Sequence, residues 1–515
     1  MKRKKIFLAI MIVEMMLSFL PVVAQEINTE GGKWMTYYVD SLNGSDDNDG
    51  LTPEKAYQTL ERINGITLSA QTKVLLKAGS VFFGTLAPVR EDSEGFIEFN
   101  RYGEGPNPII NGNGNFSAVN LKNLSYIKIA NLEVTNIASK ANITRCGIYS
   151  ECGGDDTKGG NFKEIYLSNI NVHDITSIHS RTGGGIVFDT RKSLNPVTYE
   201  NVFIENCRVK DTNANGITFT SAYSKRVGID WAELPYTPSK NIVIRDNFVY
   251  NCGGDGIFQS CAIDPLIERN VVYGCCWAGD TAYAGIWPHN SANAVMQYNE
   301  AYGQVLMGGD AQGYDVDINC DNTLVQYNYS HHNDGGFLLI CTSGDQGGYN
   351  DDVTVRYNLS EEDKGQIFTL SGPITNIKIY NNTVSCQQPP DTRLIGMYQW
   401  GDSGGGPNHV SVENNIFSMN GTGFNQFYPD TEYQFRGNLY YGTYNFSNIS
   451  DDEKKTGNPG FAGQQKIAGD DPIYGISNGN GFRLSESSVA YQAAKPSQFD
   501  DIANEKEAIN IGAFS

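Results

Sequence analysis

The stretch Ile242-Val243-Ile244-Arg245-Asp246-Asn247 decides the fold, because the chain repeats its pattern from about residue 126 onward. A short run of alternating apolar residues leads to an Asn, and a second short run follows. Spacings of 23 to 41 residues between the aligned Asn residues suit a coil of three short strands joined by loops of different length. The aligned residues are Asn131, Asn169, Asn206, Asn247, Asn270, Asn299, Asn328, Asn358, Asn382 and Asn415.

The repeat predicts an all-β solenoid in which each coil stacks on the last at a strand spacing of about 4.8 Å. Gly and Asn suit its corners because both tolerate positive φ. Near the start of the chain, 53–64 carries Ala56, Leu60 and Ile63 at helix-like spacing. This segment predicts a short helix that covers the open N-terminal edge.

The ends of the chain resemble a known family. The matching segments are Tyr37-Tyr38-Val39-Asp40, 44–50, Thr52-Pro53, Thr59-Leu60, 74–79, 101–105 and 510–514. Together they resemble right-handed parallel β-helix proteins of the pectate lyase superfamily. The resemblance implies a single-stranded right-handed parallel β-helix with a short N-terminal capping helix, and it implies a carbohydrate substrate. It does not choose a reaction, because the same solenoid carries lyases, hydrolases, epimerases, esterases and phage tailspikes.

Composition and the N-terminus predict an exported protein. The 515 residues hold 38 Lys+Arg against 58 Asp+Glu, which argues against nucleic acid or an anionic membrane surface as partner. Residues 1–24 combine a basic start, an apolar run and a small-residue ending, the pattern of a cleaved signal peptide. We therefore expect a secreted or periplasmic protein with no transmembrane anchor in its mature form. No Cys lies near the cleavage site, so a lipoprotein anchor is not supported.

The repeat also divides the mature chain. We predict an N-terminal cap with the first coils over 25–125, central coils over 126–420, and the last coils with a C-terminal cap over 421–515. The ten Cys residues are too sparse for a disulfide scaffold, and we expect small buried thiols.

Candidate chemistry comes from the strands that begin at Gly. If the first apolar residue of each strand points inward, its second and fourth residues point outward and form columns from coil to coil. The second-place column reads Val187, Thr218, Phe258, Trp287, Asp315 and Leu338. The fourth-place column reads Asp189, Thr220, Ser260, His289, Asp317 and Ile340.

Asp315 and Asp317 are the candidate catalytic pair. Residues two positions apart on a strand have Cα atoms about 6.6 Å apart on the same face, so we expect this spacing for the pair. Like charges this close raise a carboxyl pKa, which is what a general acid at neutral pH needs. From the preceding coil, Trp287 could stack on a sugar ring, and His289 could bind a hydroxyl or assist proton transfer. The pair resembles the paired aspartates of β-helix glycoside hydrolases and does not reproduce the separated set of polygalacturonases.

Four further residues are candidates for substrate binding. His331 and Asp334 lie in the turn one coil above the pair, and Arg356 is a candidate base. Trp231 lies in a long inserted loop, 221–240, whose aromatic and basic residues suit a sugar with acidic groups.

Three functions follow from these residues. The first is a glycoside hydrolase that cleaves polysaccharide or oligosaccharide with Asp315 and Asp317 as acid and base, without a cofactor and as a monomer. The second is a polysaccharide lyase, in which the aspartates would hold Ca²⁺ and His289 or Arg356 would remove a proton beside a uronate carboxylate. The third is a non-catalytic glycan-binding β-helix.

Overall fold

The computed structural model describes residues 34–154, 159–227, 229, 232–345, 347–387, 391–401, 405–461, 482–494 and 511–513. Residues 36–515 form one compact unit, and of the second unit, 1–35, only Trp34 and Met35 are described. The predicted signal peptide, 1–24, lies outside the described residues. Within the described ranges, no helix is both long and apolar enough to cross a bilayer.

Three long parallel sheets and one small parallel pair make up the molecule. Sheet 1 contains β1 (Met35–Val39), β3 (Thr72–Lys77), β6 (Ile97–Tyr102), β9 (Ile127–Ala130), β12 (Gly160–Ser168), β15 (Val197–Glu205), β18 (Ser239–Arg245), β21 (Ala262–Ile263), β22 (Leu266–Glu268), β25 (Val295–Gln297), β28 (Asp321–Gln326), β31 (Asn350–Arg356), β34 (Ile374–Tyr380), β37 (Asn408–Glu413) and β39 (Tyr433–Arg436). Sheet 2 contains β4 (Val81–Phe83), β7 (Ile109–Asn111), β10 (Glu133–Asn136), β13 (Asn171–Ile175), β16 (Arg208–Thr212), β19 (Phe248–Cys252), β23 (Val271–Tyr273), β26 (Glu300–Tyr302), β29 (Tyr329–His331), β32 (Leu359–Glu361), β35 (Thr383–Cys386), β38 (Ile416–Met419), β40 (Leu439–Tyr441) and β41 (Lys455–Thr456). Sheet 3 contains β8 (Ser117–Lys122), β11 (Cys146–Cys152), β14 (Gly184–Thr190), β17 (Asn215–Ser221), β20 (Ile257–Ser260), β24 (Ile286–His289), β27 (Gln312–Asp317), β30 (Gly336–Cys341), β33 (Gln366–Ser371) and β36 (Arg393–Tyr398). The small pair is β2 (Thr67–Leu68) with β5 (Val89–Arg90).

Neighbouring strands in each sheet come from successive coils, and in the central coils one strand of each sheet follows another in chain order. The predicted parallel β-helix is therefore confirmed. Its interior is built from aligned apolar residues, such as Ile217, Ile257 and Ile286 in sheet 3. Burying each such side chain stabilises the fold by about 1.5–3 kcal/mol.

The N-terminal cap is two short pieces where one continuous helix was expected. A 3₁₀ turn spans Pro53–Lys55, and helix α1 spans Leu60–Asn64 with Leu60 and Ile63 buried against the core. Between them Tyr57 is drawn into pairing with β1, because its N–H donates to the Tyr38 carbonyl at 2.9 Å. The backbone of Ala56 is accordingly extended, with φ −61° and ψ 148°, which separates the two pieces.

A ladder of buried Asn side chains runs between sheets 1 and 2. Asn270 shows the pattern: its Nδ2 donates to Asn299 Oδ1 at 3.0 Å and to the Ile244 carbonyl at 2.8 Å. Each side chain is therefore fully hydrogen-bonded inside the solenoid. The members are Asn247, Asn270, Asn299, Asn328, Asn358, Asn382, Asn415 and Asn438, and Asp451 accepts from the last.

The alignment of the first three Asn residues was wrong by one position. Asn131, Asn169 and Asn206 have φ values of 59°, 53° and 53°, so they occupy the left-handed corner. In later coils that corner belongs to the residue just before the ladder, such as Asp246 with φ 57°. Asn suits the corner because it tolerates a left-handed backbone, and it suits the ladder because its amide both donates and accepts. The sequence pattern therefore does not distinguish the two positions.

All ten Cys residues are buried free thiols.

Candidate active site

The outer face of sheet 3 carries the two predicted columns. Register pairs Ser260 with His289, His289 with Asp317, and Asp317 with Cys341. The outward residues in both columns are therefore the predicted ones, up to and including β27. In β30 the prediction was wrong by one residue, because Leu338 pairs with the buried Tyr314 and the outward residues are Leu339 and Cys341. Gly336 pairs with Gln312, one place before Gly313, so counting each strand from its glycine misses this shift.

Asp315 and Asp317 lie together on this face, but in different surroundings. One carboxylate oxygen from each and the Cys341 sulfur lie within 4.8 Å of one another. Asp315 is only 3% exposed, and its Oδ1 has no hydrogen-bond partner among the described residues. Burial and the charge of Asp317 hold the pKa of Asp315 well above its usual range. The raised pKa favours the protonated form of Asp315, and its burial leaves little surface for a substrate.

Asp317 is partly exposed and accepts one hydrogen bond from a thiol. The Cys341 Sγ donates to Asp317 Oδ1 at 3.1 Å. Burial raises the pKa of Asp317 to about 6, while the Cys341 hydrogen bond and the Arg181 charge oppose the rise. A carboxyl group that titrates near neutrality and reaches solvent can exchange protons with a bound substrate.

Asp310 is a third carboxyl group at this site, and the sequence reasoning missed it. It lies in the turn before β27 and pairs with Tyr283 in an isolated bridge. Its side chain is partly exposed. Burial and the charge of Asp255 raise the pKa of Asp310. Strand alternation could not have found it, because Asp310 and Ala311 both have left-handed backbones, with φ 59° and 60°.

Trp287 does not offer a ring face to a sugar, contrary to the prediction. It is 4% exposed, with Phe258 at 4.2 Å between ring centroids and the Arg181 guanidinium 4.8 Å from its own centroid. Its Nε1 donates to Asp255 Oδ1 at 2.9 Å. Asp255 also forms an ion pair with Arg181. Trp287 therefore packs beneath Arg181 and supports the outer face of sheet 3.

Arg181 places a positive charge near Asp317. It comes from the turn before β14 and reaches coils that follow much later in the chain. Besides its ion pair with Asp255, it donates to the Ala282 carbonyl at 2.8 Å. About a third of its side chain, 34%, stays exposed. The sequence reasoning did not single it out, since its partners are 74 and 101 residues away.

His289 lies beside Asp317 as predicted, in the neutral form. Its Nδ1 is 2.9 Å from Ser260 Oγ. Burial, together with the charges of Arg181 and Arg226, lowers the pKa of His289 to about 3. At neutral pH it can exchange hydrogen bonds but carries no positive charge.

The structure does not bring the remaining candidates to the carboxyl groups. Arg356 lies on sheet 1, where it bonds to Gln326 at 2.9 Å and Tyr380 at 3.1 Å. His331 lies on sheet 2, is 1% exposed and contacts Glu300 Oε1 at 3.1 Å. Both therefore occupy other faces of the solenoid than the aspartate pair.

Asp334 lies nearer, in the corner that precedes β30, but its carboxylate has other partners. It accepts from Lys364 Nζ at 2.7 Å and from the Leu306 backbone N–H at 3.4 Å. The remaining candidate, Trp231, lies outside the described residues.

The cluster does not fit calcium. Ca²⁺ takes six to eight oxygen ligands, whereas the grouped donors are two carboxylates and a thiol. Burial holds the pKa of the Cys341 thiol far above its usual range, which disfavours a thiolate. These three donors therefore do not supply the ligand set of a calcium site.

The molecule is thus a parallel β-helix whose third sheet carries a cluster of carboxyl groups on its outer face. No protein-family model matches the chain. It is 28% identical to a lacto-N-biosidase of Bifidobacterium longum subsp. longum, over 70% of this chain and 28% of that protein. The chain therefore corresponds to less than a third of this curated relative's length.

The fold is also similar to crystal structures of a GH136 lacto-N-biosidase from Eubacterium ramulus. The native form has 28% identity and a TM-score of 0.58, over 68% of this chain and 64% of that one. The selenomethionine form has 25% identity and a TM-score of 0.60, over 79% and 67%. The predicted resemblance to carbohydrate-active parallel β-helix proteins is confirmed.

Proposed function

We propose that this chain is an exported, monomeric glycoside hydrolase that acts on oligosaccharide or polysaccharide chains. The observation that carries the proposal is a set of three carboxyl groups: Asp315 and Asp317 on the outer face of sheet 3, and Asp310 in the turn before β27. The similarity to lacto-N-biosidases supports hydrolysis over the lyase and binding alternatives.

Asp317 is the proposed general acid. It is partly exposed, and its pKa of about 6 keeps a fraction protonated near neutral pH. A general acid protonates the leaving oxygen of the glycosidic bond, a step worth about 10²–10⁴-fold in rate. We therefore expect the rate to fall as the pH rises through the pKa of Asp317.

Asp310 is the proposed second carboxyl group, in place of the sequence-derived Asp315. Glycosidases use two carboxyl groups that both face the substrate. Asp310 and Asp317 are both partly exposed, whereas Asp315 is covered. The raised pKa of Asp315 favours a neutral acid at this position, and a second negative charge there would raise the pKa of Asp317 further.

The test is a combined assay of the purified protein on two kinds of glycan. An oligosaccharide with a terminal lacto-N-biosyl unit, the group named in the relatives' activity, is followed by chromatography for a released disaccharide. Uronate polymers are followed for an unsaturated product that absorbs in the ultraviolet. We expect hydrolysis of the oligosaccharide and no product that absorbs in the ultraviolet. The Asp317→Asn variant should lose this hydrolysis. A calcium-dependent unsaturated product would establish the lyase instead, and no turnover of a broad glycan panel would leave a binding protein.

A further inference from the structure

The fourth-place column of sheet 3 is organised in pairs between adjacent coils. Asp189 Oδ1 accepts from Thr220 Oγ1 at 2.8 Å, and Ser260 Oγ lies 2.9 Å from His289 Nδ1. The next pair is Asp317 with Cys341, in register and at 3.1 Å. Cys341 therefore stands to Asp317 as Thr220 stands to Asp189.

Several charged or titratable groups face Asp317. Asp315 is on its own strand, Asp310 is in the preceding turn, His289 is in the preceding coil, and Arg181 reaches over from the turn before β14. Cys320 follows on the chain and directs its sulfur to the Asp317 carbonyl at 3.2 Å. Among the described residues, Cys341 is the side chain that donates a hydrogen bond to the carboxylate itself.

We propose that Cys341 is a positioning residue for Asp317: its buried thiol donates to Oδ1 and fixes the orientation of the carboxyl group on the outer face of sheet 3. The inference rests on the proposed function, because it concerns the same reacting group. It adds a role for a residue that a strand pattern would assign to packing alone.

The protonation state of the thiol makes this role possible. Cys341 is buried, and burial with the nearby charges of Asp317 and Asp315 raises the pKa of the thiol far above its usual range. It therefore remains a donor across the pH range in which Asp317 titrates. A thiol is a weak donor, so it orients the carboxylate while stabilising its charged form less than a hydroxyl would.

The experiment uses two isosteric variants of the full chain, Cys341→Thr and Cys341→Val. Thr keeps a donor and reproduces the Asp189–Thr220 pair, whereas Val has the same shape and no donor. The limb of the pH–rate profile near pH 6 is expected to lie at higher pH in Cys341→Val than in Cys341→Thr, by about one pH unit, because only Thr stabilises the carboxylate. Equal limbs in two folded variants would overturn the inference.

Both variants add a methyl group to a packed site, and Cys341→Ser with Cys341→Ala is the smaller matched pair if they do not fold. A second readout needs no activity: NMR of carboxyl-¹³C aspartate follows the Asp317 titration, assigned with Asp317→Asn. The titration midpoint should be higher without the donor. An inactive wild-type protein whose Asp317 midpoint still depends on residue 341 would defeat the proposed function and retain this inference. An active protein whose Asp317 midpoint does not depend on residue 341 would retain the proposed function and defeat this inference.

Discussion

Asp189 in β14 and Asp317 in β27 occupy the same outward column of sheet 3, yet their surroundings differ. Asp189 accepts from Thr220 at 2.8 Å and from the Tyr149 hydroxyl at 2.9 Å, and Arg191 lies 3.3 Å away. Asp317 accepts from the Cys341 thiol and the Ile318 backbone N–H, and two further carboxyl groups lie nearby. Burial raises the pKa of both, but only Asp189 has its charge matched by a full set of donors.

The difference shows what a solenoid column does and does not determine. Register places a carboxyl group on the outer face, and the neighbouring coils decide whether that group is structural or chemically available. A fully bonded carboxylate holds coils together, whereas one with few donors and a raised pKa is ready to transfer a proton. Substitutions at these two aspartates and at their neighbours test this contrast.

The largest expected effect is the contrast between Asp317→Asn and Asp189→Asn. The first variant should lose about 10²–10⁴-fold in kcat/KM, because the proton donor is gone. The second should keep kcat/KM within about threefold at a temperature where it is folded, because Asp189 has no proposed role in the reaction. Steady-state kinetics on the substrate identified in the combined assay measures both. Comparable losses in the two variants would show that the column, and not the local donors, carries the activity.

A second, smaller contrast separates the two carboxyl groups that accompany Asp317. Asp310→Asn should reduce kcat/KM by about 10²-fold or more, because it removes the second exposed carboxyl group. Asp315→Asn should reduce kcat/KM by less than about tenfold, because Asp315 is buried and its raised pKa favours the neutral acid, which an amide resembles. If Asp315→Asn proves the more damaging change, the sequence-derived pair was the correct one.

The smallest effect is on stability. Because the pKa of Asp315 is raised in the folded state, the unfolded chain ionises first as the pH rises above about 4. The folded state then loses about 1.4 kcal/mol of stability for each pH unit that separates the two pKa values. Asp315→Asn removes this loss and should raise the free energy of unfolding at pH 7, with little change below pH 4. Asp189→Asn breaks existing hydrogen bonds and should instead lower it by about 1–3 kcal/mol at pH 7.

Denaturant titration of both variants at pH 7 and below pH 4 gives this comparison. The wild-type protein at the same two pH values is the control. A lower stability of Asp315→Asn than of the wild type at pH 7 would contradict the expectation.

The sequence predicted the solenoid well, because Asn corners and alternating runs have direct physical causes. It predicted the columns correctly up to β27, but in β30 Gly336 pairs with Gln312 and not with Gly313, so Cys341 and not Ile340 lies beside Asp317. Periodicity also could not find Asp310, whose left-handed backbone lies outside any strand pattern.

Long-range contacts account for the remaining errors at the site. Trp287 faces outward as the alternation predicts, yet Arg181 arrives from a distant turn and covers it. Such contacts depend on the lengths and paths of loops, which a repeat pattern does not encode.

The Asn ladder makes the coils interchangeable in the middle and fixed at one end. Each rung from Asn270 to Asn415 accepts from the rung before it and donates to the next, so a coil inserted between two such rungs would find the same ladder partners on both sides. The Asp451 side chain accepts from Asn438 and has no N–H to donate onward, so the ladder ends there. A coil inserted between β27 and β30 would therefore leave the ladder intact but would separate Asp317 from Cys341.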